Sequence, residues 1–193
     1  IKEWIKERNI QKVSLLTSYI TVRKIKELKN TLDTIKVDDR AEADDMVKDM
    51  RRKKDKEEIY CHKKAQDITD HVFRHICNFI RPGITELDVA REIGTMLTRL
   101  GSEDKHFNFI VASGKNSSLP HGFATNKIIE NGDFVTMDFG AVYRGRLADM
   151  TRTIGVGKID AQQKEIYEIV KEAQKRALDI IKPGVICADV DKA

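Results

Sequence analysis

No apolar run in the chain approaches the ~18 residues that a membrane-spanning helix requires, and this absence excludes such a helix. An excess of charge of one sign is also missing: charged residues make up 34% of the chain, yet the net charge is only +4. Aromatics are few, at 6%, and are not interleaved with Lys and Arg on any face, so a nucleic-acid partner is not expected. Cysteine is scarce as well. Cys61, Cys77 and Cys187 are odd in number and lack CxxC or Cys/His zinc spacing, which favours reduced thiols in a cytoplasmic protein. The N-terminus lacks the basic, apolar and small-residue regions of a signal peptide. It opens at Ile1 inside an amphipathic pattern with Trp4 and Ile5, as though the chain continued upstream.

What is present suits one large or two small domains with a real core. The first part reads as a helix over 1–9, a strand from Lys12 to Leu16, a helix from Val22 to Leu32 and a strand from Thr34 to Val37. Ile25, Leu28 and Leu32 stripe that second helix, and a βαβ unit of this kind carries parallel strands. So short an α/β segment cannot cover both faces of a sheet. Residues 1–45 are therefore expected to be the end of an α/β domain, with the acidic stretch Asp38 to Asp45 as a charged connection. Arg51 to Lys54, followed by Asp55, Glu57 and Glu58, reads as an exposed helix with compensating pairs.

A second domain is expected over 46–193. A long helix from Asp55 to Phe79 places Ile59, Ala65, Ile68, Val72, Ile76 and Phe79 on one side, and it stops at Arg81-Pro82-Gly83. Thr85 then caps a helix that ends at Leu100-Gly101, with Asp88 three residues on. His62, His71 and His75 lie on the first helix without an acidic or Cys partner at metal-binding spacing, so surface or packing roles are expected. The pattern Glu58-Ile59-Tyr60, Ala65-Gln66, Ile80-Arg81-Pro82-Gly83 recurs as Glu165-Ile166-Tyr167, Ala173-Gln174, Ile181-Lys182-Pro183-Gly184. A duplicated helix pair follows from that repeat.

Between the two copies, Phe134 to Val142 and Leu147 to Val156 read as β-strands joined at Tyr143-Arg144-Gly145. Thr136 and Asp138 share one face, and Val135, Met137 and Phe139 the other. If the hairpin turns between Tyr143 and Arg144, positions summing to 287 are opposite, which sets Asp138 against Asp149. Side chains so opposed have Cβ atoms about 4.5–5.5 Å apart, and two carboxylates at that distance call for a proton or a cation between them. Two aspartates are too few for a catalytic metal site, so further ligands are expected from elsewhere.

Phe107 to Gly157, FNFIVASGKNSSLPHGFATNKIIENGDFVTMDFGAVYRGRLADMTRTIGVG, closely resembles the pita-bread metallopeptidases. The likeness is greatest to the Xaa-Pro peptidases, which are the prolidases or Xaa-Pro dipeptidases and aminopeptidase P. It extends from about Val47 to the chain end, and residues 12–38 resemble the last part of that family's N-terminal domain. The fold implied is α+β: the first half of a pseudo-symmetric pita-bread (creatinase/aminopeptidase) domain, preceded by the end of an α/β N-terminal domain. The resemblance makes Asp138 a metal ligand and Asp149 the ligand bridging two divalent ions, Mn²⁺ or Co²⁺. It makes His121 the active-site histidine that meets substrate and tetrahedral intermediate, and Phe107 a residue of the specificity pocket. Thr151 would support the ligands by hydrogen bonding.

The activity implied is metal-dependent removal of an N-terminal residue before proline, by a metal-bridged hydroxide, from dipeptides or longer peptides, in a homodimer. The alternatives are a methionine aminopeptidase, which shares an aspartate pair, and a non-catalytic pita-bread binding module. The family's other ligands, one His and two Glu, fall beyond Ala193. This 193-residue chain alone is therefore expected to bind metal weakly and to leave peptides uncut.

Overall fold

The structure is a computed structural model that describes residues 2–103 and 109–193. The chain separates into two compact units, Ile1–Glu57 and Glu58–Ala193. The division expected at 45/46 falls inside a helix, Glu42–Arg52.

In the first unit, helix α1 (Lys2–Glu7), strand β1 (Lys12–Ser14), helix α2 (Val22–Thr31), strand β2 (Lys36–Asp38) and helix α3 (Glu42–Arg52) follow in order. β1 and β2 pair in parallel, Lys12 with Lys36 and Ser14 with Asp38, as the βαβ reading requires. Thr21 caps α2, its side chain accepting from the Lys24 amide. The acidic connection is a helix start instead. Glu42, Asp44 and Asp45 occupy the first turn of α3, where negative charge meets the positive end of the helix dipole. Asp44 is buried and accepts from the Thr17 amide and hydroxyl, each at 2.8 Å, and from the Ser18 amide at 3.2 Å. A tertiary contact decides what the charge pattern left open.

The second unit contains helices α4 (Lys56–Phe79) and α5 (Glu86–Arg99), strands β3 (Ile110–Ser113), β4 (Phe134–Phe139), β5 (Val142–Tyr143), β6 (Arg146–Leu147) and β7 (Met150–Gly155), and helices α6 (Ala161–Ile180) and α7 (Cys187–Lys192). Thr85 forms a full capping box with Asp88 at the start of α5. β3, β4 and β7 make an antiparallel sheet with β4 in the centre, and β5 pairs with β6 as its own ribbon. The apolar face of β4, Val135, Met137 and Phe139, is fully buried and joins one core with Val72 and Ile76 of α4 and Val89, Ile93 and Leu97 of α5. Burying side chains of this size contributes about 1.5–3 kcal/mol each. The opposite face of the sheet carries the polar residues. Helices α4 and α5 therefore back the sheet on its apolar side, and Tyr167 of α6 meets Phe134 at the start of β4 on the other, with ring centroids 6.2 Å apart.

The duplicated pattern has a structural counterpart. Gly83 and Gly184 both follow Pro after a long helix and take φ of +95° and +92°, a left-handed conformation that glycine adopts without penalty. The two copies differ in burial. α4 buries Cys61, Ala65, Thr69, Val72 and Ile76, whereas α6 buries no residue and exposes Ile166, Ile169, Val170 and Leu178.

Candidate active site

The aspartate hairpin forms, but its register differs from the sequence expectation. Arg144 and Gly145 form a two-residue turn with φ of +47° and +70°, the type I′ geometry whose twist matches the flanking strands. Tyr143 pairs with Arg146 and Val142 with Leu147, and Asp138 faces Thr151. The expected Asp138–Asp149 opposition is thus corrected by one pair: Asp149 stands diagonal to Asp138. The turn centres on glycine because both central residues need positive φ, and centring it on Tyr143 would have required that of a bulky aromatic.

Gly140 draws the strands together beside this diagonal. A Cβ there would lie 1.6 Å from the Ala148 carbonyl oxygen and 3.2 Å from the Asp149 amide nitrogen, a space that only glycine leaves open. The strand is interrupted at this point, and other elements satisfy its backbone. The Ala141 amide donates to the buried Thr69 hydroxyl of α4 at 3.0 Å, and the Val142 amide donates to the Ser102 hydroxyl at 2.9 Å. The tip is held by an Arg146–Glu58 ion pair at 2.7 Å and by the Gly145 amide donating to Glu103 at 2.9 Å.

Asp138 Oδ1 is buried and has no hydrogen-bond partner. Burial pushes the Asp138 carboxyl above its ordinary range, and the adjacent Asp149 carboxylate pushes it further, within hydrogen-bonding reach. Thr151, which faces Asp138 across the strand pair, and the charge of His121 act in the opposite direction. An orphaned carboxylate oxygen beside a second carboxylate is a donor set that fits a hard divalent cation. Among the described residues no group of three His, Cys, Asp or Glu side chains gathers to hold a metal. The pair is a partial ligand set.

His121 reaches this face through strand pairing. Ile110 of β3 pairs with Asp138 on one side and bridges to Phe123 on the other, so the Pro120-His121-Gly122 segment lies across β3 from the aspartate. Gly122 fits because a Cβ would meet Ala112 at 2.8 Å. His121 itself is exposed. Phe107, the expected pocket residue, lies outside the described residues. His62, His71 and His75 stand apart from this site: His62 Nδ1 meets the Leu147 carbonyl at 3.1 Å, His71 Nδ1 the Asp67 carbonyl, and His75 Nε2 the Glu92 carboxylate at 2.6 Å.

Sequence reading missed Glu86. It occupies the first turn of α5, where an acidic residue reads simply as favourable to the helix dipole. In the structure it is fully buried and accepts four hydrogen bonds. Oε1 accepts from the Ser113 amide and hydroxyl at 2.7 and 2.8 Å, and Oε2 from the Thr125 amide and hydroxyl at 3.0 and 2.7 Å.

The sequence pattern of metallopeptidase family M24 matches residues 60–193. An Xaa-Pro dipeptidase of Pyrococcus furiosus is 42% identical over 174 residues, which cover 90% of this chain and 48% of that protein. An uncharacterized peptidase of Bacillus subtilis is 46% identical over 75% of this chain and 41% of its own. Among solved structures, an Xaa-Pro dipeptidase from Bacillus anthracis superposes with a TM-score of 0.91 at 40% identity, covering 98% of this chain and 52% of that one. An X-Pro aminopeptidase from Thermotoga maritima gives 0.91 at 34% identity, over 99% of this chain and 53% of that one. The chain spans about half the length of the relatives it matches. No helix among the described residues is long and apolar enough to cross a membrane.

Proposed function

Because the chain belongs to metallopeptidase family M24, we propose that the protein carrying it is a metal-dependent exopeptidase that cleaves the bond between an N-terminal residue and a following proline. The single observation that carries this reading is the buried, unpartnered Asp138 Oδ1 beside the Asp149 carboxylate, on the sheet face that His121 adjoins. The named Xaa-Pro dipeptidases among its relatives support the substrate class.

Asp138 and Asp149 would hold two divalent ions, manganese or cobalt, together with ligands from outside this chain. When bound, such ions supply Lewis acidity toward the scissile carbonyl and an activated water. The residues of the chain do the rest. Thr151, directly opposite Asp138 on the neighbouring strand, is placed to donate to its carboxylate and fix its direction, the supporting role that hydrogen bonds play around metal ligands. His121 donates a hydrogen bond toward the oxygen on which negative charge develops at the tetrahedral stage. Phe107 serves as the aromatic of the specificity pocket that the family resemblance implies. The three free cysteines support a cytoplasmic location, and a homodimer completes the reading.

The test is hydrolysis of Xaa-Pro dipeptides and of longer Xaa-Pro peptides by the full-length protein, stripped of metal and then given Mn²⁺ or Co²⁺. Cleavage should return with metal and vanish in Asp149→Ala. Preference for Met-Ala over Xaa-Pro substrates would assign a methionine aminopeptidase instead, and biological activity untouched by Asp149→Ala would assign a non-catalytic binding module.

A further inference from the structure

The four hydrogen bonds to Glu86 join two places far apart in sequence. Ser113 ends β3, and Thr125 follows the Pro120-His121-Gly122 segment, so one buried carboxylate closes both ends of the loop 113–125 that carries His121. The backbone of α5 fastens the same stretch: the Leu87 amide donates to the Thr125 carbonyl at 3.1 Å and the Glu86 amide to the Lys127 carbonyl at 3.1 Å. Within the loop the bonds are local. The Leu119 amide donates to the Asn116 carbonyl, the Gly122 amide to the Leu119 carbonyl and the Phe123 amide to the His121 carbonyl. Apart from the Ile110–Phe123 bridge and the close approach of Gly122 to Ala112, the path of His121 toward the aspartates therefore depends on where its two ends are held.

We propose that Glu86 is a positioning residue of the active site: its carboxylate clamps Ser113 and Thr125 so that His121 is held at a fixed reach from Asp138 and Asp149. The inference rests on the catalytic reading of His121 given above. A carboxylate suits the task because all four facing groups are donors and an ionised carboxylate is acceptor-only on both arms. Charge-assisted bonds of this kind are also stronger than neutral ones. Glutamine cannot replace it. Its amide NH₂ would confront two donors on one arm, and that end of the loop would be released. A displacement of about 1 Å in a catalytic group costs on the order of a hundredfold in rate, so a loss between about tenfold and a hundredfold in kcat is expected of Glu86→Gln.

The test is a double-variant cycle on the metal-loaded full-length protein, using Glu86→Gln, the milder Thr125→Val and Ser113→Ala, and His121→Ala. Thr125→Val and Ser113→Ala each remove one hydroxyl donor and keep the proposal testable if Glu86→Gln fails to fold. Each should lower kcat with KM nearly unchanged, and none should add to the loss already caused by His121→Ala, because the clamp acts through that side chain. Hydrogen exchange on the metal-free chain supplies a readout independent of turnover: amides within 113–125 should exchange faster in Thr125→Val while those of β4 stay protected. Losses that multiply with His121→Ala, or unchanged kcat in both hydroxyl variants, overturn the role of Glu86 and leave the site reading intact. Full activity in His121→Ala is a separate result, which sinks the reading of the histidine and this proposal with it.

Discussion

Replacing Gly140 by alanine tests whether the pinch between the two aspartate strands holds the site together. The new Cβ would lie 1.6 Å from the Ala148 carbonyl oxygen, whereas real Cβ contacts do not fall below 3.0 Å, so the strands must part by at least about 1.4 Å, the difference between the two. The obstruction is backbone on both sides, which leaves no flexible side-chain end to move away. Parting stretches the Ala148 amide to Ala141 carbonyl bond, now 2.9 Å, beyond hydrogen-bonding distance. Overpacking of this kind costs about 1–3 kcal/mol, and an unpaired buried backbone group costs about 1–3 kcal/mol more. The stiffer unfolded chain returns only about 0.4–1 kcal/mol. The expected net is a loss of about 1–6 kcal/mol, read by urea denaturation of the chain followed by circular dichroism. Asp149 moves with Ala148, so Mn²⁺ affinity of the full-length protein should fall by about tenfold or more, as it does when supports of metal ligands are disturbed. Stability within about 1 kcal/mol of the parent, together with unchanged Mn²⁺ affinity, would refute the idea that the close approach at Gly140 sets the aspartate geometry.

Thr69→Val keeps the shape of a buried side chain but removes the acceptor of the Ala141 amide, and should cost about 1–3 kcal/mol in denaturant melts. Asp138→Asn removes a carboxylate whose Oδ1 is buried without a hydrogen-bond partner; calorimetry of the full-length protein should show Mn²⁺ binding lost, while the thermal midpoint of the metal-free chain rises. Burial raises the Glu86 carboxyl, but the bonds from Thr125 and Ser113 outweigh it and hold the group below its ordinary range. A depressed folded value means stability that is present above the ordinary glutamate value and is lost as pH falls below it through the folded value. Acid titration of unfolding should accordingly show a steeper loss in the parent than in Glu86→Gln over that interval, and parallel curves would contradict the assignment.

Much of the fold was legible because it rests on local periodicity. The stripe Ile25, Leu28, Leu32 marked α2, the Thr85-Asp88 box marked the start of α5, and alternation in β4 separated Val135, Met137 and Phe139 from Thr136 and Asp138. The failures share a cause, in that long-range contacts chose among locally equivalent options. The hairpin could turn one residue earlier or later on strand pattern alone, and the positive φ at both Arg144 and Gly145 chose the later register. Asp44 looked like part of a solvated acidic run until Thr17 and Ser18 met it from elsewhere in the chain. Glu86 carried no signal at all, because a glutamate in the first turn of a helix is favourable wherever it points. The resemblance in sequence pointed to Asp138, Asp149 and His121 as site residues, while the diagonal setting of the aspartates and the bonds from Glu86 behind the histidine emerge only from the three-dimensional fold.

The clamp also bears on how such a loop can change over time. A loop whose ends are fastened by a side chain from another element is separable from the sheet it springs from. Positions of the loop other than His121, Gly122 and Phe123 can be rewritten while Ser113 and Thr125 stay at their posts, because loop closure costs only about 0.6 kcal/mol for each doubling of length. Glu86 thereby divides the inheritance of the site in two: a frame that must be copied faithfully, and an insert through which lineages can vary what the histidine meets.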